Sequence, residues 1–214
     1  MSPEKIQLLV TQAIAGKELL QHPFYQRWNE GGVTMAELAS YAEQYRHIEA
    51  ALPSVLGAVV ASLPAGRAHD AAAANLADEL GNPAPHAEIF ESFATAVGAC
   101  EGVAPGAAVT ALLDAQNDAV AHSPQAALAA LSAYECQAGA IAASKSAGLS
   151  SHYGLDAKAT AFWDLHASLE DDHAGWSFEA LSELGADPEV VQGAAKAAAG
   201  AWWAFLDERE AEAA

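Results

Sequence analysis

Apolar residues recur every three or four positions along most of the chain, and this spacing predicts α-helices throughout. Capping residues, prolines and glycines divide the pattern into segments. Ser2-Pro3-Glu4 is typical of a helix start, and Thr34 with Glu37 forms a capping-box pattern. The predicted helices cover about residues 3–20, 23–30, 34–63, 67–81, 86–99, 105–121, 124–148 and 156–185, with a last one from 188 into the charged tail at 207–212.

No convincing alternating strand pattern and no fixed-period repeat occurs in the sequence. No linker divides the chain, whose 214 residues are enough to bury a sizeable core. We therefore predict an all-α fold with one domain over residues 1–214, a single bundle of about seven to nine helices.

The charge balance narrows the possible partners. Net charge is −19, from 28 acidic residues against nine Lys plus Arg, and such a field repels nucleic acids and anionic membranes. No run approaches the roughly 18 apolar residues of a membrane span, and the N-terminus lacks a signal-peptide pattern. The two cysteines form no CxxC motif, which favours a cytoplasmic location; we predict that Cys100 and Cys136 are both buried.

The segment 161–176, AFWDLHASLEDDHAGW, carries the clearest candidate chemistry. His166, Glu170 and His173 stand at i, i+4 and i+7, inside an arc of roughly 60° on one helix face. Imidazole and carboxylate ligands suit iron or manganese. The alternative is an acidic, solvated helix face. If the segment is a metal site, the rest of the chain has to supply the remaining ligands.

Glu79 and His86 offer a second pair of candidate ligands. They flank the turn LGNPAP, which places one at a helix end and the other at the next helix start, so both could face one cavity. Ordinary loop polarity is the alternative.

Glu135 is the only acidic residue in the apolar run from 126 to 143. Burying such a carboxylate is costly unless it is paired or metal-bound, which favours a ligand. The alternatives are a surface position or an ion pair with Arg46 or Arg67. The complete candidate set of three acids and three histidines, which suits two redox-active divalent ions that activate dioxygen, is Glu79, His86, Glu135, His166, Glu170 and His173.

With these residues in place, the sequence resembles the haem-oxygenase-like di-metal oxidase superfamily. Within it, the chain is similar to the para-aminobenzoate synthases typified by the Chlamydia protein associating with death domains (CADD). The similarity runs from HPFYQRWNEG through SYAEQYRH, NLADELGNPAPHAEIFESF and YE to FWDLHASLEDDHA. It implies a helical bundle of the TenA/PqqC-like type and assigns the metal ligands to the same six residues. The family usually has Asp where this chain has Glu170, and the longer side chain could alter bridging or metal preference.

The resemblance also implies a source for the product. In this family one of the protein's own tyrosines becomes the aminobenzoate ring, and one of its lysines supplies the amino nitrogen. The matching positions are Tyr25 and Lys145, and Tyr41 and Tyr134 match tyrosines that line the family's cavity. From the residues alone, Tyr25 could simply plug the end of the bundle, and Lys145 could be a solvated surface residue.

The implied cofactors are two divalent metal ions, either two irons or one iron and one manganese, with dioxygen and an external reductant of unknown identity as co-substrates. A homodimer is the expected assembly. Three other functions stay open: an oxidase that cleaves or N-oxygenates an external fatty acid or amino acid, a non-catalytic interaction protein, and a metal-free cofactor-handling enzyme of the same fold. Glu43 and His47, at i and i+4, are interpreted as a helix-surface ion pair.

Overall fold

The computed structural model describes residues 1–81 and 84–212, and within these it leaves out the side chains of residues 169–174. The described residues form α-helices and one short 3₁₀ helix, with no strand among them. The α-helices are α1 (Pro3–Ile14), α2 (Pro23–Asn29), α3 (Met35–Ser62), α4 (Arg67–Gly81), α5 (His86–Ala96), α6 (Ala107–His122), α7 (Pro124–Tyr153), α8 (Ala157–Glu183) and α9 (Pro188–Ala211).

The all-α prediction is confirmed, but the described residues hold ten helical elements, slightly more than predicted. The extra element arises because the first helix ends at Ile14 rather than near residue 20, and Leu19–Gln21 then form the 3₁₀ turn. Gly16 follows the helix end with φ +77°, a left-handed conformation that glycine adopts without the steric cost of a Cβ. Its N–H is bound by the Glu18 carboxylate at 2.9 Å, which stabilises the turn.

The helix starts follow the predicted capping chemistry. The Thr34 hydroxyl accepts from Glu37 N at 3.2 Å, and the Glu37 carboxylate accepts from Thr34 N at 2.7 Å, so the capping box of α3 is confirmed. Asp156 accepts two backbone N–H bonds at the start of α8. Pro53 lies inside α3, which stays one helix to Ser62.

Two groups of buried side chains form the core. The aliphatic cluster joins α1, the second half of α3, the first half of α7, the end of α8 and the start of α9, and its large members include Ile6, Val10, Leu56, Val59, Leu128, Leu181 and Val191. The aromatic cluster joins α2, the first half of α3, α5, α8 and the end of α9, and its rings include Phe24, Tyr25, Trp28, Tyr41, Tyr45, Phe90, Phe93, Phe162, Trp163, Trp202 and Phe205.

Two predictions from the sequence, the burial of both cysteines and the Glu43–His47 ion pair, are wrong. Cys136 is only partly buried, and Cys100 is exposed because it lies in the loop after α5, where its backbone N–H donates to the Glu43 carboxylate at 2.8 Å. Glu43 and His47 accordingly contact this loop rather than each other, and His47 Nε2 lies 2.9 Å from Val103 O. No helix in the described part of the chain is long and apolar enough to cross a bilayer.

Candidate metal centre

Three of the predicted ligands meet at the junction of α4, α5 and α8. Glu79 lies near the end of α4 and His86 is the first residue of α5, as the turn between them predicted. His86 Nδ1 lies 3.0 Å from Glu79 Oε2, and His166 Nε2 lies 3.9 Å from Glu79 Oε1. One ligand atom from each residue falls within 4.8 Å of the others, so a single ion could bind all three.

The His86 side chain fits a metal ligand closely. It is only 1% exposed, yet within the described residues neither of its ring nitrogens has a hydrogen bond with acceptable geometry, although Nδ1 lies near Glu79. Burying an imidazole in this state is costly, because the ring loses its hydrogen bonds to water and forms no well-aligned ones within the protein. A bound ion would satisfy the ring, and this donor set of imidazole and carboxylate is one that iron accepts.

His166 is oriented by its own helix. Its Nδ1 lies 2.8 Å from Phe162 O, one turn earlier in α8. A carbonyl oxygen can only accept, so the proton must sit on Nδ1, which leaves the Nε2 lone pair directed toward Glu79. Carbonyl groups hold metal-binding histidines in this way and fix their tautomer.

Glu135 faces the same cavity from α7. It lines this cavity together with Glu79 and His166, and its Oε2 accepts a hydrogen bond of 3.0 Å from Ser177 Oγ. Burial raises its pKa to about 7, and the nearby charge of Glu79 also raises it. The alternative ion pairs are not formed, since Arg46 binds Glu91 at 2.8 Å and Arg67 binds Glu183 at 2.7 Å.

Glu170 and His173 complete the predicted ligand set, but their side chains lie outside the described residues. The backbone of α8 is helical from Ala157 to Glu183. Their i+4 and i+7 spacing from His166 therefore holds at the level of the helix.

The tyrosine and lysine candidates form a second cluster, buried beside the metal site. Lys145 is 2% exposed, and its Nζ donates a hydrogen bond of 2.7 Å to Tyr41 Oη. Tyr25 Oη lies 3.0 Å from the same Tyr41 Oη. Lys145 is therefore not a surface residue, and the Tyr41 hydroxyl brings the Tyr25 ring and the lysine amine together.

Aromatic rings enclose the Lys145 amine. Nζ lies 4.0 Å from the Trp163 ring centroid and between 4.7 and 5.9 Å from the other rings, which belong to Tyr25, Trp28, Tyr41 and Tyr45. Burial lowers the pKa of this lysine well below its usual value, because no water solvates the ammonium form. Burial also raises the pKa of Tyr25 and Tyr41, so both phenols keep their protons.

One wall of this enclosure depends on a glycine. A Cβ at Gly148 would lie 3.0 Å from Trp28 Cδ1 and 3.2 Å from Trp28 O, so the indole packs directly against the α7 backbone. From that position Trp28 Nε1 donates to Lys145 O at 3.3 Å.

Tyr134 lies between the candidate metal ligands and the Tyr25–Lys145 pair, together with Tyr45 and Glu49, which the sequence analysis did not single out. Tyr134 Oη lies 3.0 Å from Tyr45 Oη, and the Tyr45 ring stacks on Tyr41 with centroids 5.4 Å apart. Glu49, also on α3, lines the cavity beside Tyr134 and Glu135. Tyr41, Tyr45 and Glu49 stand at i, i+4 and i+8, a shared helix face that was the available sequence signal.

Comparison with known proteins places the chain in a class. The model of the iron-containing redox enzyme family matches residues 39–207, and the chain belongs to this family. The protein is thus an iron-containing redox enzyme by family. Its curated relatives include a 4-aminobenzoate synthase of Nitrosomonas europaea, 33% identical over 92% of this chain and 88% of the relative. Another is the 4-aminobenzoate synthase of Chlamydia pneumoniae, 31% identical over 92% of each chain.

Solved structures agree with the fold. A protein of haem-oxygenase-like fold from Shewanella denitrificans has a TM-score of 0.81 at 18% identity, covering 99% of this chain and 93% of that one. A TenA homologue from Pseudomonas syringae has a TM-score of 0.79 at 16% identity, covering 96% and 91%. A CADD-like protein from Nostoc punctiforme has a TM-score of 0.75 at 17% identity, covering 98% of each chain. The resemblance inferred from the sequence is confirmed.

Proposed function

We propose that this protein is a di-metal, oxygen-dependent oxidase that forms 4-aminobenzoate from its own residues, with the ring from Tyr25 and the amino nitrogen from Lys145. The names of the curated relatives support the product. The observation that carries the internal source is the burial of both residues against one hydroxyl, that of Tyr41. A lysine that only stabilised the fold would not be expected in so apolar a position.

The metal-binding residues in this proposal are Glu79, His86, Glu135, His166, Glu170 and His173. Two irons, or one iron and one manganese, held there would use dioxygen and an external reductant to oxidise a nearby phenol. Two observations support this assignment: the buried His86 ring makes no hydrogen bond of acceptable geometry in the described part of the chain, and Phe162 O orients the His166 ring.

Lys145 is suited to act as a nitrogen nucleophile. Its lowered pKa favours the neutral amine, whose lone pair is available for attack. Tyr41 holds the amine beside the Tyr25 ring, with Nζ 4.7 Å from that ring's centroid. The surrounding aromatic rings exclude water, which limits competing hydrolysis of any reactive ring species.

Tyr134 is proposed to line the reaction cavity rather than to supply the ring. Its ring stacks on Trp202 with centroids 4.2 Å apart, and its hydroxyl is paired with Tyr45. These contacts support a fixed position at the boundary between the metal cavity and the Tyr25–Lys145 pair.

A growth experiment tests the proposal. A strain without its own aminobenzoate genes should grow without supplement when it carries this chain, and growth should be lost with Tyr25→Phe, Lys145→Arg or Glu135→Ala. Tyr153→Phe and Lys158→Arg are matched controls at sites outside the aromatic enclosure, and both should support growth. Mass spectrometry of the chain after aerobic turnover with iron or manganese and a reductant should find a loss of mass at Tyr25 or Lys145. Unchanged growth with the Tyr25 and Lys145 variants would refute the internal source while leaving an oxidase in place.

A second candidate is an oxidase of an external substrate. The cavity that holds Glu79 and Glu135 has an apolar wall of Ile48, Leu52 and Leu131, which suits a small apolar molecule. This candidate predicts multiple turnovers per chain and full activity in Tyr25→Phe, whereas the internal source predicts at most one turnover per chain.

A further inference from the structure

Glu49 is a buried acid that neither the predicted ligand set nor the proposed tyrosine–lysine chemistry uses. It lies in the middle of α3 and is 5% exposed. Its Oε2 is inaccessible to solvent and has no hydrogen-bond partner in the described part of the chain. A carboxylate in this state is costly unless a cation or a proton neutralises it.

The surroundings of Glu49 indicate where such a cation would be. Glu49 lines the same cavity as Glu79, Glu135 and His166, which approach from α4, α7 and α8. Glu49 and Glu79 therefore present two carboxyl groups to one buried cavity, an arrangement that a bound cation would stabilise.

In the described part of the chain, neither of the basic side chains Arg46 and Lys145 forms an ion pair with Glu49. Arg46, one turn before Glu49 on α3, is bound to Glu91 on the surface. Lys145 lies in the aromatic enclosure, where its Nζ donates a hydrogen bond of 2.7 Å to Tyr41 Oη. A divalent ion in the cavity could bind the Glu49 carboxylate directly, and without an ion the carboxyl group would have to hold a proton.

We propose that Glu49 is a further carboxylate ligand of the metal centre, presented by α3 to the cavity that the ligands of α4, α7 and α8 also line. It would supply oxygen coordination to one of the ions from a helix that contributes none of the six ligands predicted from the sequence. This inference rests on the di-metal part of the proposed function and deepens it. It does not depend on the identity of the organic product.

The proposal has a structural consequence for the centre. A ligand on α3 would tie that helix to α4, α7 and α8 through the metal, and Tyr45, one turn earlier on α3, would be fixed by the same link. The tyrosines that connect the cavity to Lys145 would thereby be positioned by metal binding.

Metal titration of the full chain tests the inference without any measurement of product. The metal-free protein is titrated anaerobically with Mn(II) and, separately, Fe(II) by calorimetry, as wild type, Glu49→Gln, Glu49→Asp and Glu43→Gln. Glu43 is the control, because it lies on the same helix but contacts the loop after α5. We expect Glu49→Gln to weaken at least one site 10-fold or more, Glu49→Asp to weaken it less, and Glu43→Gln to match wild type within twofold.

Thermal unfolding separates a ligand from a structural residue. If Glu49 is a ligand, metal-free Glu49→Gln unfolds at or above the wild-type temperature, because a neutral amide is easier to bury than a carboxylate, and only the metal-induced increase is smaller. A lower unfolding temperature in the metal-free variant together with an unchanged metal-induced increase would overturn the proposal.

The remaining outcomes also decide the question. If Glu49→Gln binds both ions as tightly as wild type, Glu49 is not a ligand, even if product formation is lost. If wild type binds a single ion, the di-metal part of the proposed function fails. The Glu49 proposal is then judged on that ion: weaker binding in Glu49→Gln supports it, and equal binding overturns it.

Discussion

The aliphatic and aromatic clusters are both closely packed, yet they serve different purposes. The aliphatic cluster consists mainly of Ala, Val, Leu and Ile side chains. The aromatic cluster contains three buried phenols and encloses a buried lysine. The candidate metal cavity lies where the two clusters meet, since it is lined by Leu56 and Leu131 from the first and by Tyr45 and Trp202 from the second.

The different side chains of the two clusters indicate how one helical bundle can be stable and still contain reactive groups. Aliphatic side chains contribute stability through burial and dispersion but offer nothing to a buried amine. Aromatic rings and their hydroxyls can instead enclose and bind a buried amine, as they do around Lys145. We infer that the aliphatic cluster supplies most of the folding stability, whereas the aromatic cluster contains groups that reduce it.

The largest expected effect is on stability, in the aliphatic cluster. Ile6 on α1 is fully buried there, and Ile6→Ala should lower the free energy of unfolding by about 2–5 kcal/mol through lost burial and a new cavity. Denaturant unfolding measures this change. Metal affinity of the folded variant should stay at the wild-type value, because α1 contributes nothing to the cavity. Leu8→Ala, at a 56% exposed position on the same helix, is the control and should change stability little.

In the aromatic cluster, removing a polar group should have the opposite sign. Lys145→Met keeps much of the side-chain volume and removes the cost of a buried amine, so the variant should be more stable by about 1–4 kcal/mol while forming no product. Denaturant unfolding and product analysis measure the two effects. Lys158→Met on the exposed start of α8 is the control. A clear loss of stability in Lys145→Met would mean that the amine contributes to folding, and the contrast between the clusters would not hold.

The smallest expected effect is on the pH dependence of stability, through Glu135 in the cavity between the two clusters. The Glu135 pKa of about 7 in the folded chain lies above its unfolded value of about 4.3, so its protonated form stabilises the metal-free fold at low pH. This contribution should be complete below about pH 4.3 and lost as the pH rises through about 7. Thermal unfolding of metal-free Glu135→Gln should therefore depend less on pH, by about 1 kcal/mol between about pH 6 and pH 7.

Exposed Glu88 supplies the control for that measurement. Glu88→Gln removes the same charge from the surface, and its pH profile should follow wild type. An equal change in both variants would assign the effect to net charge rather than to the buried carboxyl.

The sequence predicted those features that depend on local chemistry. The capping box of Thr34 and Glu37 forms as expected, and Glu79 lies near the end of α4 while His86 begins α5. The predicted end of the first helix was wrong because apolar spacing continues past Gly16, where the backbone turns left-handed. The shared arc of His166, Glu170 and His173 remains a prediction, since only the first of these side chains is described.

Packing between distant segments was not predictable in the same way. On α3, Glu43 with His47 and Tyr45 with Glu49 have equivalent i, i+4 spacings. Only the packing of α3 against α4, α5 and α7 decides that the first pair meets a surface loop and the second faces the cavity. Likewise, spacing along α7 alone could not indicate that Lys145 is enclosed by rings from α2, α3 and α8.

Gly148 limits how this protein can diverge. Because a Cβ at position 148 would lie 3.0 Å from the Trp28 indole and 3.2 Å from the Trp28 backbone oxygen, even alanine there would require Trp28 to shift. A change at either position therefore favours a compensating change at the other, and the two should vary together across lineages that retain the buried amine. A lineage with a side chain at 148 and a smaller residue at 28 would mark a protein that has given up this wall of the enclosure.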